Sequence, residues 1–593
     1  MRFLTSLLLA APAFSLASLQ EPSYEQRENL SKLPRNFLLS TRALAQHKPA
    51  NVVARDGATL ISAEYAEFIT QTMDHWGVKG VTVALVRRTG NGTFDVDTAA
   101  FGVRNEAGDP MTTKACLIHS SHPVGSLSKH ITAASVGLLA ADPSNDFTLH
   151  TPWSTVLEEF ALQDKVADRQ ADAFDVLSHR TGMPRHDGIL VHDDMDADFS
   201  ARVMKYLKPA NPFRSVWQYS NHMYNVAGSL VARLSGQPFP DFVKANIFDK
   251  VSMTSTTYDF VGAVQSGIME NGFWRQGENL TSPGELRATN GPPASALGGI
   301  AGCGGVITTI DDMALWLQVL LNGGRNPETG EVVIPSAVLK TMSTGVSVES
   351  GVASVPEMAP IVYGLGLERS AYQGHEWVGH EGSYYGFMAQ LVTFPNDGVG
   401  IVVITNDTPR GYFMHNSATW RAAEDLLKTP LQVDWISRFD ALNQGGLQAA
   451  AARAAAALPS PPNAKQPDVP IESLAECYSD LAYGNVTLVL SDDGKTLSSP
   501  APRFGRGSIL SLAHYDGNVF NATLSVFLPS ADESELLLRQ QQVLPSEFGF
   551  TEEGNVEGFA LNGDLWKAAP GTSDPVGETV KDSAEVWFSA GCQ

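Results

Sequence analysis

The chain has 593 residues, 43% of them hydrophobic and 18% charged, with 41 Lys and Arg against 64 Asp and Glu for a net charge of -23. That length exceeds one hydrophobic core, so two or more domains are expected. So strong a negative charge argues against nucleic acid or anionic membrane as a partner, because either would repel it.

In chain order, Met1-Arg2 and the short apolar run Phe3 to Ala17 read as a secretory signal peptide over 1–17, with Ser15 and Ala17 suited to cleavage. No later segment reaches the roughly 18 uninterrupted apolar residues of a spanning helix. Export makes the six N-x-S/T sequons at Asn29, Asn91, Asn279, Asn406, Asn485 and Asn521 candidate glycosylation sites. It also makes disulfides of the four cysteines an expectation. Pairing Cys116 with Cys303 and Cys477 with Cys592 keeps each bridge inside one domain.

Residues 18–55 form a polar N-terminal extension without clear periodicity. From there Ala63 to Trp76 has the spacing of an amphipathic helix, and Val81 to Arg87 and Thr93 to Val103 read as a hairpin turned by Asn91-Gly92. A helix follows Ser126, with Leu127, Ile131, Ala134 and Leu138 on one face. Tyr219-Ser220-Asn221 opens another that Gly236 ends. A capped helix is expected at Asp311 to Leu321. Strands are expected at Trp377 to Gly386, Phe387 to Phe394 and Val399 to Asn406, followed by a helix from about Ala418 to Lys428. The alanine-rich helical segment at Leu447 to Leu458 and the prolines from Pro459 to Pro470 read as a helical and Pro-rich linker, 431–470. Alternation with frequent turns over 471–593 predicts a small antiparallel β domain, and 56–430 is left as the main unit.

The chemistry concentrates in Ser126-Leu127-Ser128-Lys129. On a helix Ser126 and Lys129 lie one turn apart on the same side. A serine hydroxyl needs a neighbour that removes its proton, and a partly desolvated lysine supplies one. Two further motifs, Tyr219-Ser220-Asn221 and His380-Glu381-Gly382, complete a set that resembles the serine β-lactamase and penicillin-binding-protein superfamily. The resemblance is to its class C β-lactamase branch, with related esterases, D-aminopeptidases and acyltransferases. Leu177-Ser178-His179-Arg180-Thr181-Gly182-Met183-Pro184 and Tyr363-Gly364-Leu365-Gly366 are similar to flanking segments of that branch. The likeness covers roughly residues 60 to 430.

The resemblance implies a β-lactamase/transpeptidase-like α+β fold, with an antiparallel sheet flanked by helices and a helical subdomain. It makes Ser126 the nucleophile, Lys129 the group that eases its deprotonation, and Tyr219 a candidate base toward the serine and acid toward the leaving group. Asn221 is expected to orient Lys129 and the substrate amide, and Gly382 to admit a close approach along its strand. The Ser383 and Ser126 backbone N–H groups form the expected oxyanion hole. His380 departs from the lysine that β-lactamases of this branch carry; a histidine is mostly neutral near pH 7, which weakens the case for penicillins.

No G-x-S-x-G or H-x-H occurs, and His375-Glu376 with His380 has one residue too many for a zinc helix. No cofactor and no metal site is inferred. The expected function is a secreted serine hydrolase acting on small esters, amides or lactams, with a small acyl compound as its partner. An acyltransferase and a slowly deacylating penicillin-binding-type protein are the alternatives. The C-terminal β domain is read as a structural appendage to the cleft rather than a surface-binding module.

Overall fold

The computed structural model describes residues 53–54, 59–113, 121–190, 195–291, 298–456, 460–492, 494–499, 508–563, 572 and 574–592. Asn29 and Cys116 lie outside them, as do the first 52 residues.

A nine-stranded sheet forms the centre. Its order is Val53–Ala54, Phe94–Gly102, Gly80–Arg88, Val399–Thr405, Phe387–Phe394, His375–Tyr384, Glu368–Tyr372, Ile361–Tyr363 and Ser347–Ser350, antiparallel throughout. The expected hairpin and the Phe387–Phe394 strand fall where the alternation and turn residues put them. Every residue of Val399–Thr405 is buried, because both faces of the sheet are covered, so this strand reads as continuous apolar sequence.

On one face pack the helices Ala63–Trp76, Gly411–Leu427 and Trp435–Ala456. The first is capped by Ser62, whose hydroxyl accepts the Tyr65 N–H at 3.1 Å, and it ends at Gly77 in the left-handed conformation. Its Tyr65, Ile69, Met73 and Trp76 form the buried stripe. The third extends the expected alanine-rich helix back to Trp435, which is buried with Phe439 beside Tyr412 and Phe413. That part of 431–470 is therefore a packed element. The opposite face carries the helical subdomain, built around Ser128–Ala141, Asn221–Ser235 and Ile310–Leu321.

Residues 477–590 make a second antiparallel sheet that closes on itself. The segment 484–490 pairs with Cys477–Asp480 through its first half and with Thr496–Ser498 through its second, while Val586–Ala590 returns to Cys477–Asp480. Its interior is filled by Tyr478, Leu512, Phe520, Phe548, Phe559 and Phe588, each at most 1% exposed. Cys477 and Cys592 are disulfide-bonded, as expected. Opening that bridge with Cys592→Ser releases a loop of 115 residues. It is expected to cost about 2–5 kcal/mol, read as a lower melting temperature of the barrel by calorimetry.

Two expectations are corrected. Cys303 has no disulfide partner among the described residues, which do not include Cys116: it is a buried thiol whose Sγ lies 3.5 Å from the Ile300 carbonyl. The short helix Ala301–Gly304 wedges it behind the start of Asn221–Ser235, with Gly302 against the Tyr224 backbone. Asn406 is fully buried and its amide donates to the Val103 carbonyl at 3.0 Å, so the folded chain presents no acceptor there. Asn91, Asn279 and Asn485 are exposed and Asn521 is half-buried.

Candidate active site

Ser126 sits in a single 3-10 turn, Gly125–Leu127, that runs directly into the helix Ser128–Ala141. The turn is held from behind by the Val124 N–H donating to the Val306 carbonyl, and by the Ser128 hydroxyl accepting the Val306 N–H, both at 3.0 Å. Gly125 adopts φ +50°, a left-handed conformation suited to glycine. The strand His375–Tyr384 crosses against this turn. A Cβ on Gly382 would collide with the Val124 carbonyl oxygen and lie 3.2 Å from the Leu127 nitrogen. A Cβ on Gly125 would stand 2.9 Å from the Ser383 nitrogen. The two glycines thus let the strand and the serine turn meet backbone to backbone, leaving Ser383 exposed beside half-buried Ser126.

Around the Ser126 hydroxyl the sequence motifs converge. The Lys129 ammonium donates to Ser126 Oγ at 3.0 Å, to Asn221 Oδ1 at 2.7 Å and to the Cys303 carbonyl at 2.9 Å. Its three donors are all used. The Tyr219 hydroxyl donates to Ser126 Oγ at 2.8 Å from the other side. Lys129 has no solvent exposure. Burial is the main reason its amine is pulled down to about 8, and the Arg185 charge adds to the effect. Burial pushes the Tyr219 phenol the opposite way, well up from its ordinary value, so it keeps its proton.

His380 is buried, and its ring nitrogens face the Tyr363 hydroxyl at 2.8 Å and the Glu381 carbonyl. Burial holds it down to about 3, with Lys129 adding to the effect, so it is a neutral imidazole. A fixed positive charge at the third motif is therefore absent in this chain.

Residues outside the motifs hold this arrangement. Asn221 Nδ2 donates to Asp187 Oδ1 at 2.9 Å, which aims its oxygen at Lys129. Asp187 also pairs with Arg185 at 2.7 Å, whose guanidinium lies 4.7 Å over the Tyr219 ring. The segment carrying Tyr219 is anchored by buried Asp175, which takes Arg180 and Arg214 at 2.8 and 2.7 Å. His179 accepts the Ser220 N–H at 3.1 Å and packs its ring 4.3 Å from that of Tyr219. Sequence reading misses Arg185, Asp187 and the Cys303 carbonyl. The charged run Arg185-His186-Asp187 directly after Pro184 was the available signal.

The barrel also reaches this site. The Tyr483 hydroxyl meets His186 Nδ1 at 2.7 Å, between Arg185 and Asp187. On the other side Thr289 donates to the Pro529 carbonyl at 2.8 Å and Asn290 to that of Ala531 at 3.0 Å.

A family model described as Beta-lactamase matches residues 65–424. The chain belongs to the Beta-lactamase family. Among relatives of this Beta-lactamase-family chain is the unguisins hydrolase ungD of Aspergillus violaceofuscus, 26% identical over 84% of this chain and 87% of that protein. The unguisins hydrolase ungD' of Aspergillus campestris is 25% identical over 87% and 91%. The penicillin-binding protein homologue from Pyrococcus abyssi superposes with a TM-score of 0.50 at 17% identity, over 81% of this chain and 99% of that one. At that identity the likeness is one of fold.

Proposed function

We propose that this serine hydrolase-like chain cleaves esters or amides through an acyl-enzyme at Ser126. The observation that carries the reading is the Ser126 hydroxyl held between Lys129 at 3.0 Å and Tyr219 at 2.8 Å. Of the two, Lys129 is the base: its amine is pulled down into the neutral pH range, whereas the Tyr219 phenol is pushed away from it. Lys129 takes the serine proton as Oγ attacks the acyl carbon, and the oxyanion faces the Ser126 and Ser383 N–H groups. Tyr219 passes a proton to the departing alcohol or amine and is reprotonated from Lys129. Water then attacks the ester of Ser126, the acid leaves, and the serine regains its proton.

His380, neutral and buried, offers no anchor for the carboxylate of a penicillin, which favours other acyl compounds. The Aspergillus relatives named as unguisins hydrolases make a substrate of that kind the first to try. In the same proposal residues 1–17 direct export, 56–430 carry catalysis, and the barrel shapes the cleft. Supporting that role, Tyr483 touches the loop that orients Asn221 and Tyr219.

The test is intact mass over time with a p-nitrophenyl ester and, separately, a β-lactam. A transient acyl adduct is expected with the ester, absent in Ser126→Ala, with many turnovers of ester and few of lactam. An adduct that persists indicates acylation without release. No Ser126-dependent adduct with either reagent removes the proposal.

A further inference from the structure

We propose that Arg539, on the barrel, is an anion-recognition point for the acyl group bound at Ser126, favouring substrates with a carboxylate several bonds from the scissile carbonyl. The inference deepens the hydrolase reading and rests on it.

Arg539 lies in the longest hairpin of the barrel, between Val519–Pro529 and Leu536–Phe550. In that pairing Val526 faces Gln540 and Phe527 faces Leu538, so Arg539 is the extra residue of a β-bulge. A bulge breaks the alternation and re-aims one side chain. Here it sends the guanidinium 4.5 Å over the Tyr385 ring and 5.9 Å from that of Trp274. Tyr385 follows Ser383 by two residues, about 7 Å along the chain, and Ser383 borders the nucleophile turn. The cation therefore stacks just past the end of the strand His375–Tyr384, two residues beyond Ser383.

Stacking covers the face of a guanidinium and leaves its in-plane N–H donors free for a carboxylate fork. Among the described residues no carboxylate fills that role. Glu535, four positions earlier, is taken by Arg287, and Asp532 by the hydroxyls of Ser530 and Ser534. The other cations of the site are committed: Lys129 to its three acceptors and Arg185 to Asp187. With His380 neutral, Arg539 is the charge that remains, among these described residues, for an anionic substrate group.

The experiment compares mono-p-nitrophenyl suberate with p-nitrophenyl octanoate, esters of similar length that differ in a terminal carboxylate. Arg539→Gln is expected to raise KM for the suberate about tenfold, with kcat within about twofold and the octanoate unaffected; Arg539→Lys should retain part of the preference. Equal changes for both esters, or none for either, overturn the proposal. A lowered melting temperature with unchanged selectivity also overturns it, marking Arg539 as a clasp between barrel and sheet. If the wild-type protein turns over neither ester, suberate is titrated calorimetrically into Ser126→Ala with and without Arg539→Gln. Binding lost with Arg539 keeps the anion site and drops the hydrolase reading; binding absent from both, or equal in both, drops the anion site.

Discussion

The kcat/KM of the wild-type protein for a neutral p-nitrophenyl ester is expected to rise tenfold per pH unit below about pH 8 and to level above it. The direction follows from Lys129. Burial lowers its amine to about 8, so below that value the lysine is mostly protonated and only the remaining neutral fraction can take the serine proton. Each unit of increasing pH enlarges that fraction tenfold until the lysine is neutral. A neutral substrate keeps its own charge out of the profile. Lys129→Met should lower kcat/KM by about 10²–10⁴ and abolish the rising limb, while circular dichroism reports an intact fold. A limb that survives the substitution would assign the base to another group.

Gly382→Ala is the second large effect. Alanine differs from glycine by one methyl group, but here that methyl meets the Val124 carbonyl, and neither backbone can swing aside as a flexible side chain would. The strand must retreat from the nucleophile turn, taking the Ser383 N–H with it. A displacement of about 1 Å in such a constellation costs on the order of a hundredfold, and ester turnover should fall by at least that much. Gly90→Ala, which meets nothing within 4 Å, is the control and should be silent. Turnover of Gly382→Ala within a fewfold of wild type would show that the oxyanion position does not depend on this contact.

What could be read from the sequence tracks how local each signal is. The helix Ala63–Trp76 was legible to the residue because its stripe, its Ser62 cap and its Gly77 stop all lie within sixteen positions. The sequence pattern places the start of the helix Gly411–Leu427 about seven residues late, near Ala418. Residues 411–420 are buried on every side, so no polar face marks the period. In Trp435–Ala456 the anchoring aromatics are confined to the first turns, so the sequence shows the alanine-rich remainder as helix but not the packed start at Trp435. Three motifs far apart in the chain meet around the serine turn, two of them at the Ser126 hydroxyl and the third through the Gly382 backbone, and their residue types announce the chemistry they could share. Arg185 and Asp187 show in the sequence only as a charged run after Pro184; their role comes from facing Tyr219 and Asn221, a neighbourhood that only folding creates. Cys303 shows the opposite error, since an even count of cysteines suggested a bridge where enclosure behind Lys129 leaves a thiol.

The centre of the main sheet joins strands from opposite ends of its domain: Val81 pairs with Thr405 and Arg87 with Val399. Ser126, Lys129, Tyr219 and Asn221 all lie in the stretch between them. During synthesis Gly80–Arg88 therefore waits, with one edge unpaired, until more than three hundred further residues have been made. Closing so long a loop is entropically costly and slow. The strand with Gly382 and Ser383 joins through the same late partners, so a nascent chain can hold its serine and lysine without the oxyanion position opposite them. If Ser126 acts as proposed, a centre assembled in this order lacks its oxyanion donor until the sheet is sealed.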